Sequence, residues 1–516
     1  MTLSDFPHNI YLVRLHLSHN NLTDITHVSL GNLQYLDLSH NLIVTLNMTH
    51  LADMKNLHTL IMSHNPLFKT TSTGITDPNF LPNIVHLDLS YTELTIFESK
   101  FLSCCRNVKD LDISDTDVFR ISDLGFSTTP NLEKLLLKGS PLMYYENDLL
   151  KGLYQLKYLE SENYKLCCPA FLPDHFKDLS QCKAPPDLLV SCDDLLKTNV
   201  YRVFLWVFAV LTLVGNSVSF VTRMILHRSS SLGSYGVFVA NLTVADLCMG
   251  VYLAVIGVTD MLYRGDYVTR DTAWKESVTC RVSGFLSFLS SEVSALNICL
   301  ITLDRLLVLR FPFSPVHFNK RSAIAACSVI WLLGFVLSTI PLLPSNSHWR
   351  FFSQTGICIS LPFVTKDRFP GYMYSFSITI IMNFILFTLI AVGQIIIYMS
   401  IQSNSMSSVN QNQKSRDSVI ARRLATVVVS DFFCWFPIGV LGLLAFAGYP
   451  VTSEVSVAVV IFVLPFNSAL NPFLYTFNVV MERRERVREE RLLKKLEAKV
   501  KISTLCSTCG GSSNTQ

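Results

Sequence analysis

The sequence predicts a multi-domain membrane protein: an extracellular leucine-rich-repeat solenoid (an α/β horseshoe) followed by a bundle of seven transmembrane α-helices. A leucine pattern recurs about every 24 residues in the amino-terminal third, the spacing of such solenoids. Seven long apolar segments follow between Val200 and Phe477. Only 16% of the residues are charged, against about 25% in soluble domains. We expect a repeat ectodomain over 1–166, a cysteine-rich cap and hinge over 167–199, a seven-transmembrane domain over 200–477 and a cytoplasmic juxtamembrane helix and tail over 478–516.

The repeats follow the template L-x-x-L-x-L-x-x-N-x-L. Three clear copies start at Leu12, Leu33 and Leu57, three weaker ones at Ile84, Val108 and Leu132, and a partial copy at Leu156. The leucines of such repeats fill one continuous core, and the asparagine satisfies backbone groups at the turn. The residues between the strand leucines are expected on the concave face.

Several of these concave positions are acidic. They are Asp37, Asp88, Asp112 and Glu160, with Asp110 beside Asp112. One interpretation is an acidic groove that binds a basic ligand. The alternative, that an exposed strand face is polar in any case, stays open from the sequence alone.

Other features of this half fit an extracellular location. Asn21 and Asn47 begin glycosylation sequons. Four cysteines follow the last repeat: Cys167, Cys168, Cys182 and Cys192. They predict a disulfide cap, for which three pairings are open. The first twenty residues lack the pattern of a signal peptide, so we expect the native amino terminus to differ from the one given.

The seven spans are expected at about 200–222, 235–262, 280–313, 322–343, 372–401, 419–447 and 455–477. Arginine and lysine collect in the loops on one side and in the tail, which predicts a cytoplasmic tail and an extracellular repeat domain. Cys280 and Cys358 lie near the outer loop ends and can meet as a disulfide. Glu292 lies at mid-depth of the third span and is expected to face the bundle interior.

Composition and motifs exclude several classes of function. The net charge of +3 gives no signal for nucleic-acid binding. The sequence shows no P-loop, metal-ligand spacing or nucleophile motif, so we expect neither an enzyme nor a resident cofactor or metal. Inverted repeats with broken helices, which a transporter would need, are not evident.

The polar residues in the spans resemble those of the rhodopsin-like G-protein-coupled receptors. The matching motifs are Gly215-Asn216, Asn241-Leu242 with Ala245-Asp246, Asp304-Arg305, Cys434-Trp435 with Pro437, and Asn471-Pro472 with Tyr475. A repeat ectodomain joined to such a bundle is similar to the leucine-rich-repeat receptors of glycoprotein hormones and relaxin-like peptides. Segments such as Ser291-Glu292-Val293-Ser294 and Phe311-Pro312-Phe313 look most like the relaxin receptor branch.

The resemblance implies a plasma-membrane receptor for an extracellular peptide hormone, with a heterotrimeric G protein and arrestin as further partners. In the relaxin receptors, acidic repeat residues hold arginines of an insulin-like hormone. Those receptors also carry a low-density-lipoprotein-receptor type A module before the repeats, which has no counterpart in this sequence. A glycoprotein-hormone or R-spondin type of receptor, and a non-signalling adhesion or decoy receptor, are the alternatives.

The resemblance also assigns switch residues. Arg305, beside Asp304, is expected to pair with Asp417 and to release it when the sixth helix swings at Pro437. Asp431 is expected to hold the resting state, and Tyr398 and Tyr475 the open one. The remaining switch positions are Trp435, Asn471 and Pro472. Asp246, Asn216, Ser294 and Ser468 are expected to form a buried polar cluster that could hold Na⁺.

Overall fold

The computed structural model describes most of the repeat region and five of the long helices. The described residues are 11–25, 30–71, 75, 77, 79–122, 126, 128–142, 145, 148–176, 178–185, 190–229, 233–310, 317–353, 355–359, 361–362, 370–407, 430, 436–449, 451 and 459–474. The chain divides into two compact units. The first contains Met1–Asp187, Ser191–Asp193 and Gly265–Thr269, and the second contains Leu188–Val190, Asp194–Arg264 and Arg270–Gln516.

The first unit is built on a parallel sheet with one short strand per repeat. Its strands, in spatial order, are β1 (Arg14–His16), β2 (Tyr35–Asp37), β4 (Thr59–Ile61), β6 (His86–Asp88), β8 (Asp110–Asp112), β10 (Lys134–Leu137), β11 (Tyr158–Ser161) and β12 (Cys182–Lys183). Two further pairs form outside this sheet: β3 (Thr45–Asn47) with β5 (Lys69–Thr71), and β7 (Ile96–Phe97) with β9 (Arg120–Ile121). In each three-residue strand the central residue is buried and its neighbours are not, as in Leu36 of β2, whereas β10 and β11 bury alternate residues. The leucine pattern therefore forms the predicted continuous core.

Asparagines hold successive repeats together. The Nδ2 of Asn41 donates to the carbonyls of Leu17 (2.8 Å) and Leu38 (3.0 Å), and its Oδ1 accepts from the backbone N–H of Leu22 at 3.0 Å. Asn65 repeats this pattern one turn later. Each asparagine thus bonds buried backbone groups of its own repeat and of the preceding one, which ties the two repeats together.

An aromatic stack runs alongside this asparagine ladder. His19, His40, His64 and Tyr91 each have a positive φ of 53–57°. Their rings stack in sequence with centroid separations of 4.1, 4.1 and 4.3 Å. The shared backbone conformation directs each ring onto its neighbour, one repeat away.

Disulfides close the carboxyl end of the first unit. Cys167 is bonded to Cys182 and Cys168 to Cys192, which selects one of the three pairings that the sequence left open. The adjacent Cys104 and Cys105 are also bonded to each other.

The second unit is helical. Its main elements are α1 (Asn199–Ser229), α2 (Ser234–Leu262), α3 (Tyr267–Glu276, of which the first three residues belong to the first unit), α4 (Val278–Arg310), α5 (Lys320–Thr339), α6 (Tyr372–Ser375) and α7 (Asn383–Ser407). An apolar helix, α8, follows at Phe436–Phe446, and α9 covers Leu464–Pro472. Five helices in the described part of the chain are long and apolar enough to cross a membrane.

Two local features explain helix boundaries in this unit. A capping box starts α5: Asn319 Oδ1 accepts from the Ser322 N–H at 2.8 Å, and Ser322 Oγ accepts from the Asn319 N–H at 2.9 Å. A π-helical turn, Phe376–Met382, joins α6 to α7. Asn383 follows it, and its side-chain Nδ2 donates to the carbonyl of Thr379 at 3.2 Å.

Candidate functional site

The concave groove of the first unit lies on the exposed positions of the central strands. Asp88 is in register with Asp112, and His86 with Asp110. Adjacent strands are about 4.8 Å apart, so the two rows form one compact acidic patch. A cavity of about 240 Å³ opens over it and is lined on its two sides by Ile61 and Leu136. The patch can therefore bind a basic side chain of a ligand, and Ile61 and Leu136 can contact apolar side chains on either side of it.

Serines orient the groove carboxylates. The Oδ1 of Asp88 accepts from the N–H of Ser90 at 2.9 Å and from its Oγ at 2.6 Å. The Oδ1 of Asp112 accepts from the N–H of Ser114 at 2.8 Å. Asp37 makes the same contacts with Ser39, at 3.0 and 2.7 Å. These bonds use one oxygen of each carboxylate and fix its direction.

The groove is not uniformly acidic. His86 Nδ1 is 2.5 Å from Asp110 Oδ2, and Lys134 is in register with Asp110 on the next strand. Glu160 accepts from the hydroxyl of Tyr158 at 2.9 Å and lies 3.8 Å from Lys138. Lys138 therefore partly balances Glu160, and Lys134, which lines the same cavity, also acts on Asp112 and opposes the rise in its pKa. Asp88 and Asp112 face each other on neighbouring strands and form an anionic pair within the groove.

Two of these carboxyl groups titrate unusually. Burial raises the pKa of Asp112, against the bonds from Ser114, and Asp88 raises it further. Burial would also raise the pKa of Asp37, but the bonds from Ser39 and the neighbouring His16 outweigh it and lower that pKa. Asp37 thus keeps its charge to lower pH than Asp112 does.

In the second unit a buried polar cluster joins four helices, α1, α2, α4 and α9. Asp246 of α2 is fully buried. Its Oδ1 accepts from Ser294 Oγ of α4 at 2.8 Å, and its Oδ2 accepts from Asn471 Nδ2 of α9 at 2.8 Å. Asn216 of α1 donates to the carbonyl of Ser468 at 3.0 Å. The four predicted cluster residues and Asn471 therefore meet, and they supply a carboxylate and hydroxyl oxygens at one point.

A second buried carboxyl lies elsewhere on α4. Glu292 is 1% exposed, which confirms that it faces the bundle interior. Its Oε1 accepts from Asn383 Nδ2 at 3.1 Å, and its Oε2 has no partner among the residues that the structure describes. Asn383, which follows the π turn Phe376–Met382, was not anticipated from the sequence.

Near the carboxyl end of α4, Asp304 and Arg305 form an ion pair. Arg305 Nη2 lies 2.6 Å from Asp304 Oδ2, and Asp304 is 1% exposed. At the opposite end of the helices, Arg202 Nε lies 2.5 Å from the fully buried Asp260 and also contacts Asp194 at 3.2 Å. Asp260 lies 58 residues from Arg202 along the chain, and the sequence alone did not reveal this pair.

Other predicted positions are described only in part. Cys280 and Cys358 are bonded to each other. Tyr398 lies on α7 with 49% of its surface exposed, and Pro437 lies in α8. A β-carbon on Gly215 would lie 3.1 Å from the side chain of Pro472, so this glycine permits close approach of α1 and α9. The predicted switch residues Asp417, Asp431, Trp435 and Tyr475 lie outside the described residues.

The repeat solenoid, the apolar helices and the buried motif residues together define a seven-transmembrane receptor with a leucine-rich-repeat ectodomain. Residues 215–475 match the family described as 7 transmembrane receptor (rhodopsin family), and the chain belongs to that family of receptors, which are not enzymes. Residues 10–67 match the leucine rich repeat. The family and the apolar helices make the chain a plasma-membrane protein.

Among curated proteins the chain is similar to other repeat-bearing receptors. It is 38% identical over 327 residues to the G-protein coupled receptor GRL101 of Lymnaea stagnalis, and the aligned region covers 63% of this chain and 28% of that protein. It is 33% identical over 312 residues to the human Relaxin receptor 2, covering 58% and 41% respectively. It is 27% identical over 341 residues to the Lutropin-choriogonadotropic hormone receptor of Sus scrofa, covering 64% and 46%. The chain spans less than half the length of each of these relatives.

Proposed function

We propose that this protein is a G-protein-coupled receptor for an extracellular peptide hormone of the relaxin and insulin-like type. The repeat groove captures the hormone, and the helical bundle transmits its binding to a heterotrimeric G protein and changes cyclic AMP. The observation that carries the proposal is the pair of oriented carboxylates, Asp88 and Asp112, above a cavity of about 240 Å³ with apolar sides. Asp37, Asp110 and Glu160 extend the same face. The names of the relaxin receptor relatives favour this class of ligand.

The recognition chemistry follows from the groove. A guanidinium group of the hormone bridges the free oxygens of Asp88 and Asp112, because charge-assisted bonds from arginine suit neighbouring carboxylates. Apolar side chains of the hormone then contact Ile61 and Leu136 on either side. Serines hold the two carboxylates in place before the ligand arrives, which reduces the ordering cost of binding.

The proposed topology has the repeats outside the cell and the tail inside. Basic loops favour this orientation by the positive-inside rule. The disulfide between Cys280 and Cys358 and the two disulfides of the hinge suit an oxidising exterior. Asn21, which is exposed, and Asn47 are then available for glycosylation. Asn47 Oδ1 caps the next turn by accepting from the Thr49 N–H at 3.1 Å.

The proposed switch starts from the Asp304–Arg305 pair. In the active state Arg305 leaves Asp304 and Asp417 and faces a cavity that opens as the sixth helix swings at Pro437. Asp431 and Trp435 hold the resting arrangement, whereas Tyr398 and Tyr475 turn inward in the open one. Asn471 and Pro472 couple this movement to Asp246 through the 2.8 Å bond between Asn471 and Asp246. Arrestin is proposed to bind the same open state.

The cluster around Asp246 suits a sodium ion. Its donor set of one carboxylate and the hydroxyls of Ser294 and Ser468 offers the oxygen ligands that a hard cation prefers, with Asn216 and Asn471 orienting it. Bound there, Na⁺ would supply positive charge beside Asp246 and favour the resting state.

A cyclic AMP assay tests the signalling proposal directly. Cells express the chain behind an added signal peptide, with and without relaxin-like peptides and beside an Arg305→Ala variant. A hormone-dependent change that the variant loses supports the proposal. Hormone binding without any G-protein response would instead favour a decoy or adhesion receptor, whose ligand capture the repeat groove alone could provide.

A further inference from the structure

The first turn of α2 contacts both members of the Asp304–Arg305 pair. The guanidinium carbon of Arg305 lies 4.4 Å from the centroid of the Tyr235 ring. The neighbouring Ser234 donates from its Oγ to Asp304 Oδ1 at 2.9 Å. Ser234 thus contacts Asp304, and the next residue, Tyr235, contacts Arg305.

Each contact is complementary in charge. Asp304 is buried and uses its two oxygens on different partners, with Oδ2 toward Arg305 and Oδ1 toward Ser234. It also lies against the amino-terminal turn of α2, where no side chain caps the helix and the helix dipole favours negative charge. The guanidinium lies within cation–π range of the electron-rich face of the ring.

The Tyr235 ring is partly buried. It packs against the apolar cluster that contains Phe238, Leu242, Ile298 and Ile301, residues of α2 and α4. This packing holds the ring to α2 and α4, so movement of Arg305 away from Asp304 also breaks the contact between Arg305 and the ring.

We propose that Tyr235 is a positioning residue that clamps Arg305 in the resting receptor through its aromatic ring. Ser234 supports the clamp by holding Asp304. This restraint comes from α2 and is separate from the proposed pairing of Arg305 with Asp417. It rests on the proposed function in one respect: Arg305 must leave this position for signalling to occur.

Two substitutions at this position separate the ring from the hydroxyl. Tyr235→Phe keeps the ring, and Tyr235→Leu keeps apolar bulk but removes the π face. Loss of a cation–π contact of this kind shifts a two-state equilibrium by about two- to tenfold. At equal surface expression, we expect Tyr235→Leu to raise agonist-independent signalling by about that factor, whereas Tyr235→Phe stays near wild type.

Phe318→Leu is the matched control. Phe318 packs on Phe238 of the same cluster, with ring centroids 5.5 Å apart, and does not contact Arg305 among the contacts of the described residues. If this variant also raises basal signalling, general loosening of the cluster explains the effect and the proposal is wrong. Equal effects of the phenylalanine and leucine variants at Tyr235 would likewise overturn it, because the hydroxyl would then be responsible.

Hydrogen–deuterium exchange of the purified full chain separates failure of this inference from failure of the proposed function. Exchange is followed at 300–310, the carboxyl end of α4. If wild type answers no hormone but Tyr235→Leu still speeds exchange there relative to Tyr235→Phe, the clamp exists and the hormone proposal fails. If wild type responds to hormone and Tyr235→Leu changes neither basal signalling nor exchange, the clamp is refuted.

Discussion

The first prediction concerns the contribution of the groove carboxylates Asp88 and Asp112 to the affinity for a peptide ligand. We consider Asp112→Asn, which keeps the shape of the side chain and its bond to Ser114 but removes the charge. Asp112 lies opposite Asp88 in the register, and one oxygen of each carboxylate is already occupied by a serine. A bound guanidinium therefore relies on the single free oxygen of each acid.

The size of the effect follows from this geometry. A hydrogen bond to a charged group contributes about 1.5–3 kcal/mol, and about 1.4 kcal/mol corresponds to a tenfold change in affinity. Asp112→Asn should thus weaken binding of a relaxin-like peptide by about 10- to 100-fold. Asp88→Asn should act similarly, and the double variant should fall short of the product, since both acids hold one group.

The assay is saturation binding of labelled peptide to cells, with surface expression measured in parallel. Asp53→Asn, an exposed acid outside the sheet strands, serves as the matched control and should leave affinity unchanged. A peptide with its arginines replaced by citrulline should lose most of its sensitivity to Asp112→Asn. Unchanged affinity of Asp112→Asn for the native peptide, at normal surface expression, would refute the groove as the arginine site.

Three further predictions concern stability. Asn41→Ala strands buried backbone groups that the side chain now satisfies, and it should lower the free energy of unfolding of the repeat unit by about 2–4 kcal/mol, seen as earlier proteolysis on heating; equal resistance would contradict this. Asp260→Ala leaves the Arg202 guanidinium without its buried partner and should lower the free energy of unfolding by about 3–5 kcal/mol, measured as a lower Tm of the detergent-solubilised receptor. The double variant Arg202→Met, Asp260→Leu removes both charges and should lower Tm less. Burial and the neighbouring imidazoles of the stack lower the pKa of His40. The folded state therefore binds protons less readily than the unfolded one, and stability should fall as pH drops below about 6.5. His40→Asn, which tolerates the positive φ, should show a smaller loss of Tm between pH 7.5 and 5.5, and an unchanged loss would count against the stack as the source of the pH dependence.

The positions of core residues and of buried polar residues could be predicted from the sequence, whereas most side-chain contacts between residues far apart in the chain could not. The leucine period located seven of the eight strands of the main sheet, because a short strand on a solenoid buries alternate residues; β12 and the two outer strand pairs were not predicted. Asp246, Asn216 and Ser294 were expected to meet, since polar groups inside an apolar bundle must find one another. Leu36 and Asp246 illustrate the two signals: a repeated core position and an isolated polar one.

No sequence pattern indicated the side-chain contacts that loops and turns bring about. The pairing of Cys167 with Cys182 depends on the path of the hinge, and the contact of Asn383 with Glu292 depends on the π turn at Phe376–Met382. The contact between Tyr235 and Arg305 joins residues 70 positions apart, and no spacing pattern in the sequence indicates it. The helix Tyr267–Glu276 was also unexpected, because its polar composition is typical of a loop, but burial of Tyr267 and Trp274 holds it.

The central claim is that hormone binding outside drives Arg305-dependent signalling inside. The most direct test is cyclic AMP in cells that express the chain behind an added signal peptide, titrated with relaxin-like peptides, for wild type, Asp112→Asn and Arg305→Ala. We predict a concentration-dependent change for wild type, the same maximum at about 10- to 100-fold higher concentration for Asp112→Asn, and none for Arg305→Ala. A wild-type response that Asp112→Asn does not shift, or that Arg305→Ala retains in full, would contradict the account.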